Sequence, residues 1–480
     1  MDGFLSSSMF YVYIKSIDPN VIINPLFHHK NPKSHGLGDS DIMEQISNQK
    51  PSLLIIPDAG SNDEKECKLL RNLGWTILIS DHHFSENWNK ECVLVNNHMS
   101  ENVKNKGLCG AGVTWKCLKR YDELYGYNIA SNLISYVAFA NVSDSMSLVY
   151  QENRAFSKWG FKKIHKNLQP FFDEFIKDGV VTNEAISWNV TPKGNALIRM
   201  GDLQDKIDFF YALCGEYDVN DIIKRMKHYH ETQAKEKKRL IDDVKIIYNG
   251  TCILAKIEEK TPLTGLLANM LSGEYLKPIL LIHDYDNGQS AGSVRSVVPI
   301  KNQLIKSGLF DYNEGHKDYA FGTAYQTSKE SDIIEYLDNL SDVQEPCTDV
   351  LSSNTIINTP SNLYGLKMAY NELWSKGVPV PEFHIQPFTI SNKDIKLLGK
   401  NKATIKFHSQ GIDFLMFFVS NKMKELLKLD ESYCELEVDC VVELGINEWR
   451  GNKTNQAIIK KIEIREPKEL LFNDIFTLDN

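Results

Sequence analysis

The chain lacks several features that would have placed it elsewhere. Its 480 residues contain no apolar run of the roughly 18 residues that a membrane span needs, so no membrane association is expected. The amino terminus, MDGFLSSSMFYVYIK, has neither the basic region nor the small-residue cleavage site of a signal peptide. There is no CxxC pair. The nine cysteines (Cys67, Cys92, Cys109, Cys117, Cys214, Cys252, Cys347, Cys434 and Cys440) fall at irregular spacing, which argues against a disulfide framework or a zinc knuckle. Reduced, mostly buried thiols in a cytoplasmic protein are expected instead. Positive charge is also short: the formal net charge of -9 gives no global pull toward nucleic acid. A nucleic-acid site would have to be a local basic groove, or work through bound cations.

What is present is ordinary for a globular chain, with 42% hydrophobic and 24% charged residues. The length exceeds what one hydrophobic core supports, so two to four domains are expected. Three near-continuous apolar runs, SLLIIPDAG, WTILISDHH and CVLVNNH, read as strands buried on both faces. SNDEKECKLLRNLG between the first two reads as a helix, with acids in its first turn and a terminal Gly. Strand, helix, strand implies a parallel α/β sheet. GAGVTWKCLKRYDELYG and ASNLISYVAFANVSD read as helices.

The expected fold is α/β. A parallel-sheet domain covers 1–205, and a long charged helix over 206–247 leads to a smaller α/β domain over 248–340. In that smaller domain CILAKI and KPILLIHDYD are strands flanking the helix TGLLANMLSGEY. A polar linker over 341–380 leads to short alternating strands over 381–466, which suggest a small OB-like β-barrel. An acidic-apolar tail, 467–480, ends the chain.

The chemistry concentrates in ILISDHHFSE. A strand that ends in Asp81, His82 and His83 places three groups that are costly to bury at the carboxyl edge of a parallel sheet, where ligand crevices lie. Asp58 ends the neighbouring strand, Asp144 ends the helix ANVSD, and Asp2 precedes a Ser-rich segment suited to opening a helix. A lone Asp-His pair is more often a cap than a ligand. Four carboxylates in one crevice repel one another unless cations neutralise them. Oxygen and imidazole donors without thiolate suit Mn²⁺ or Mg²⁺, and a pair of such ions would clamp a phosphate for in-line attack by water.

These residues resemble the DHH phosphoesterase superfamily: SDHH follows a strand and PDAGSND precedes it. Within that group the chain is similar to the RecJ family of single-strand-specific DNA exonucleases. LCGAGVTWK resembles the family's Gly-rich segment, ANVSDSMSLVYQENR its later aspartate motif, and TPKGNALIRMGD its Pro-Asn-Ala-Gly-Arg-Met stretch. GSVRS and EGHKDYAFG resemble the phosphate-binding motifs of the DHH-associated domain. ELGINEWRGNKTNQAIIKKIEI resembles the end of the OB domain. The resemblance implies Asp2, Asp58, His82 and Asp144 as ligands of two Mn²⁺ or Mg²⁺ ions, with Asp81 and His83 as catalytic support beside them. It implies Arg295 and His316 on the phosphate, assisted by Ser293 and the backbone at Gly292 and Gly315. The implied activity is 5′-to-3′ hydrolysis of single-stranded DNA to mononucleotides in recombination and repair, by a monomer that works with a single-strand-binding protein or a helicase.

The sequence departs from that pattern in places. The family's first motif is an Asp-x-Asp-x-Asp-Gly run, and this sequence begins at its last Asp-Gly. KGNALIRM lacks the second Gly before the Arg, and Glu314 stands where the family has a Gly before Gly-His. These departures leave two other readings open: a phosphodiesterase for short oligonucleotides or cyclic dinucleotides, and a catalytically weakened nucleic-acid-binding protein. The extra C-terminal β module argues against the first, because tiny substrates need no strand-holding domain.

A strand-specific enzyme also needs basic walls and stacking surfaces. Arg154, Lys193 and Arg199 are placed to line a path, with salt bridges as the alternative role for each. In the barrel region Phe407, Phe414, Phe417 and Phe418 read mostly as core. Trp449, beside Arg450 and Lys453, reads as an exposed stacking residue.

Overall fold

The computed structural model describes residues 1–28, 36–85, 87–177, 179–340, 382–399, 402–409, 411–417, 419, 421–449 and 452–465. Contacts divide the chain into two compact units, Met1–Cys347 and Thr348–Asn480.

In the first unit β1 (Leu53–Pro57), β2 (Thr76–Asp81) and β3 (Val93–Asn96) form a parallel sheet in that order. Helix Glu64–Asn72 joins β1 to β2, with Glu64 and Glu66 in its first turn and Arg71 in its last, each favourable to the helix dipole. Side chains alternate across the sheet. Ile77, Ile79 and Leu94 pack with Ile42, Ile46, Cys67 and Leu70 on one face. Ile55 and Leu78 turn to the other, where helices Asp2–Ile17, Gly110–Tyr125 and Ile134–Ser143 supply Leu5, Met9, Val113, Tyr136 and Phe139 to the largest core. β3 is not buried on both faces as its sequence suggested: Val93 is 60% exposed. It forms the sheet edge, and only alternate residues reach the core.

The segment 206–247 is not one helix. Helix Leu203–Cys214 stops at Gly215, which takes the left-handed conformation (φ 83°), and helix Val219–Asp242 restarts with Asp218 as its N-cap. The last residues of that stretch are already strand, β4 (Lys245–Asn249). A Gly C-cap followed within four residues by an Asp N-cap is a break that the charge periodicity obscured. Arg225 ties the two helices together, reaching Asp205 at 3.1 Å and Asp208 at 2.8 Å.

β4 begins a six-stranded mixed sheet with β5 (Ile253–Lys256), β6 (Ile279–Asp284), β7 (Gln289–Arg295), β8 (Tyr312–Lys317) and β9 (Ala320–Gln326), in the order β4-β5-β6-β7-β9-β8. Strands β5 and β6 are apolar on both faces because both faces are covered. Ile253, Ala255, Ile279 and Leu281 meet helix Thr264–Tyr275 through Leu267 and Leu271. Leu254, Leu280 and Ile282 turn the other way onto Leu304, Ile333 and Leu337.

The second unit is a six-stranded sheet of β10 (Glu382–Ser391), β11 (Lys396–Leu398), β12 (Thr404–Ser409), β13 (Ile412–Met416), β14 (Glu435–Trp449) and β15 (Asn452–Arg465). The order is β10-β14-β15-β13-β12-β11, and no pairing joins β10 to β11 among the described residues. Among the described residues the OB-like strands expected here therefore form an open sheet, with no closed barrel. Its core holds Phe407 and Phe414, stacked at 5.0 Å, with Phe388 against them. Phe417 is 46% exposed and outside that core. Phe418 and Arg450 lie outside the described residues, as do the linker expected over 341–380 and the tail over 467–480.

Candidate metal centre

The carboxyl ends of β1 and β2 bring the predicted acids and imidazoles together. His82 Nε2 lies 3.2 Å from Asp58 Oδ1, 3.7 Å from Asp144 Oδ2 and 3.9 Å from Asp2 Oδ2. Two overlapping groups, Asp58–His82–His83 and Asp2–His82–Asp144, each place their donor atoms within 4.8 Å of one another.

Each acid is held by a local device. Asp2 opens its own helix and also caps helix Gly110–Tyr125, accepting from Gly110 N at 2.6 Å and Ala111 N at 2.9 Å, with Ser6 Oγ donating at 3.1 Å. Two helix amino termini thus face one carboxylate, which favours its charge. Asp58 sits just past β1 in the left-handed region (φ 63°), a conformation costly for a residue with a Cβ. Its amide still extends the ladder, to Ser80 O at 2.8 Å. Gly3 and Gly110 make the notch for its side chain, and a Cβ on Gly110 would come 2.5 Å from Asp58 Oδ1. Asp144 is the C-cap of helix Ile134–Ser143, where the helix dipole disfavours an anion.

Asp81 serves the group from behind. Its buried carboxylate accepts from His82 N at 2.7 Å, Ser61 N at 3.2 Å and the His83 ring at 2.6 Å. Burial alone would raise its pKa, but those bonds and the His83 charge hold it well below the usual carboxylate range. Burial would lower the pKa of His83, and Asp81 raises it instead. Burial and the Asp2 charge push Asp58 up to about 7, against the pull of His82. His82, despite burial, is raised to about 10 by Asp58, Asp2 and Asp144. A set of anions gathered on one imidazole, one of them at a helix carboxyl end, is what a divalent cation would stabilise. The donors fit a hard ion with oxygen and nitrogen ligands.

Sequence reasoning missed three supports. Asn96, at the end of β3, donates to Ser61 Oγ at 2.9 Å and His83 O at 2.8 Å, bracing the loop that carries both histidines. His98 lies close enough for the His82 and His83 charges, after burial, to lower its pKa. The backbone amides of Gly110 and Ala111 were legible only as a Gly-rich motif. The doubled Asn in CVLVNNH at a strand end was the available signal for Asn96.

Other predicted residues are spread more widely. Arg199 and Arg295 are partly buried; desolvation lowers both, and the Arg199 charge lowers Arg295 further. Neither has a carboxylate at ion-pair distance among the described residues. Arg295 stands by the amino end of helix Thr264–Tyr275: a Cβ on Gly265 would meet Arg295 Nη2 at 2.8 Å and Ser293 Oγ at 3.5 Å. Ser293 Oγ also bonds Thr264 Oγ1 at 3.1 Å. Gly292 lets β7 run close to β6, where a Cβ would strike Leu281 O at 1.9 Å. Gly315 has φ 149° in β8. The His316 backbone is in that strand and that of Trp449 ends β14, while both side chains lie outside the described residues. Arg154 is not turned to a path: its guanidinium donates to Leu148 O at 2.5 Å and Val149 O at 2.8 Å, bracing a loop.

Residues 1–140 match the DHH family N-terminal domain, and residues 367–461 match the RecJ OB domain. Both matches fall where the sequence motifs pointed to such domains. The matched OB region begins ahead of the boundary expected at residue 381.

Among individual proteins, the chain is 29% identical over 525 residues to YorK of Bacillus subtilis strain 168, named as a prophage-derived single-strand DNA-specific exonuclease; the match covers 98% of this chain and 88% of that one. It is 20% identical over 492 residues to the single-stranded-DNA-specific exonuclease RecJ of the same organism, spanning 97% of this chain and 60% of RecJ. The fold matches RecJ of Thermus thermophilus, solved in complex with Mn²⁺, with a TM-score of 0.74 at 17% identity, covering 97% of this chain and 68% of that one.

Proposed function

We propose that this chain is a divalent-metal-dependent phosphodiesterase that degrades single-stranded DNA from its 5′ end to mononucleotides. One observation carries the reading: Asp2, Asp58 and Asp144 converge on His82 Nε2 at 3.2 to 3.9 Å, at the carboxyl edge of a parallel sheet. The two overlapping donor groups favour two ions, Mn²⁺ or Mg²⁺. Bound there, such ions supply Lewis acidity toward a phosphoryl oxygen and lower the pKa of water. The chain's own residues do the rest. Asp81 fixes the His83 ring and the backbone turn at His82. Arg199 and Arg295, with Ser293 and the amino end of helix Thr264–Tyr275, offer charge and directed donors to phosphate oxygens.

The single-strand preference is supported by the names of the relatives and by the matched OB domain. Polarity, product size and a setting in recombination and repair follow the RecJ resemblance, as do the expected partners and the monomeric state. No helix among the described residues is long and apolar enough to cross a membrane. The proposed roles of His316 in phosphate binding and Trp449 in stacking rest on sequence.

The test is incubation with Mn²⁺ and 5′-labelled single strands, duplexes and dinucleotides. Stepwise loss from single strands supports the proposal. Cleavage of dinucleotides alone points to an oligonucleotide phosphodiesterase, and binding without cleavage to a nucleic-acid-binding protein.

A further inference from the structure

The approach to the Arg199 helix is unusual. Residues Ile186–Val190 form a π-helical turn, a rare geometry that recurs at functional sites. Ile186, Ser187 and Val190 are buried in it, whereas Trp188 is 61% exposed. A large aromatic side chain standing out of a well-packed turn is a surface suited to stacking.

Cations gather beside it. Lys193 Nζ donates to the carbonyl of Asn189, next to Trp188, at 2.5 Å and stands 4.9 Å from the Phe175 ring centroid. Lys227 Nζ lies over the same ring at 6.0 Å. Lys227 and Lys177 share one acid, Glu174, at 2.5 and 3.5 Å. The neighbouring charges of Lys193 and Lys237 bear on His230, with Glu231 opposing them. Lys177, Lys193 and Lys227 thus bring three ammonium groups together, two of them paired with Glu174, in a chain of net charge -9. Burial first, then Lys227 and Lys177, depresses the Lys193 pKa.

The patch has a direction. Helix Thr191–Met200 runs from Lys193 to Arg199, and the Arg199 charge acts on Arg295. From Trp188 to Arg199 is about 16 Å along a helix rising ~1.5 Å per residue. Trp188 and Lys193 therefore lie toward one end of an element whose other end carries the partly buried Arg199.

We propose that Trp188, Lys177, Lys193 and Lys227 form a holding track for single-stranded DNA, the indole stacking on a base and the lysines contacting backbone phosphates on the way to Arg199. This rests on the proposed function, from which the substrate class is taken. The chemistry is that of sequence-tolerant strand binding, a basic groove interleaved with a stacking surface.

The test compares wild type with W188A and with the double variant K193Q/K227Q, each checked for an unchanged circular dichroism spectrum. The probes are a 5′-labelled oligothymidylate of about 20 nucleotides and the thymidine dinucleotide, both with Mn²⁺. The ratio of kcat/KM on the long strand to that on the dinucleotide should fall about tenfold or more in each variant. The salt slope of strand binding should drop by about 1.4 in the double variant. Tryptophan fluorescence quenched by the strand in wild type should be diminished in W188F. Wild-type ratios, slope and quenching in the variants overturn the track while leaving the hydrolase intact. A wild-type protein that neither binds nor cuts single strands overturns both.

Discussion

His82 Nε2 stands 3.2 Å from Asp58 Oδ1 although 24 residues separate them, because they occupy adjacent strand ends of one parallel sheet. That pair is the centre of the account, and Asp2 and Asp144 approach it from two helices on the same side. His82 is the donor common to both groups, and Asp58 belongs to one of them. His82→Ala and Asp58→Asn should each weaken Mn²⁺ binding more than about 100-fold and abolish strand hydrolysis with the fold kept. Isothermal calorimetry and circular dichroism on the same samples check this.

Protons compete with the ions. In the ion-free protein Asp58 is raised to about 7 and His82 to about 10, so at neutral pH the cluster holds protons that a bound cation must displace. Mn²⁺ affinity should rise with pH from about 6 to 9, and binding at pH 7 should release about one proton or more. Calorimetry in two buffers of different ionisation enthalpy measures the release. Affinity that is flat with pH contradicts the assigned ligands.

Asp81→Asn tests support from behind the donors. The substitution removes the charge that raises His83, so the His83 pKa should fall, followed by NMR titration of the ring. Metal affinity should drop about 10- to 100-fold, the usual cost of losing a group that orients an imidazole. An unchanged His83 titration would remove Asp81 from this role.

Gly110→Ala probes the notch. The new Cβ would stand 2.5 Å from Asp58 Oδ1, so the carboxylate must move. A stability loss of about 1–3 kcal/mol is expected from the overpacking, with at least a tenfold loss in Mn²⁺ affinity. Thermal melting and calorimetry read the two effects separately.

Arg295→Ala should act on the substrate rather than on the ions. Charged hydrogen bonds are worth about 1.5–3 kcal/mol, so KM for single strands should rise roughly 10- to 150-fold while Mn²⁺ affinity holds. A KM equal to that of the wild type removes Arg295 from the phosphate site.

Much of the centre was legible because parallel strands announce themselves. Near-continuous apolar runs put Asp58 and Asp81–His83 at strand ends, and the carboxyl-edge rule put those ends at the crevice. What the local pattern hid was long-range. That Asp2 caps a helix 108 residues away is fixed by tertiary packing, to which the local pattern of MDG is blind. The strand Lys245–Asn249 was absorbed into a charged helical pattern, although KIIYNG carries β-branched residues and an Asn-Gly turn. β11 has three residues, too few for alternation to register. The edge positions of β3, β10 and β11 among the described residues depend on which strands pair. Arg154 matched a motif, yet the local carbonyls of Leu148 and Val149 claimed its guanidinium.

The most direct measurement is anomalous diffraction from crystals soaked in Mn²⁺. Manganese peaks are expected among His82, Asp58, Asp144 and Asp2, with His83 beside them, and they should vanish in His82→Ala crystals. Manganese bound only elsewhere, or peaks unchanged by the substitution, would contradict this placement.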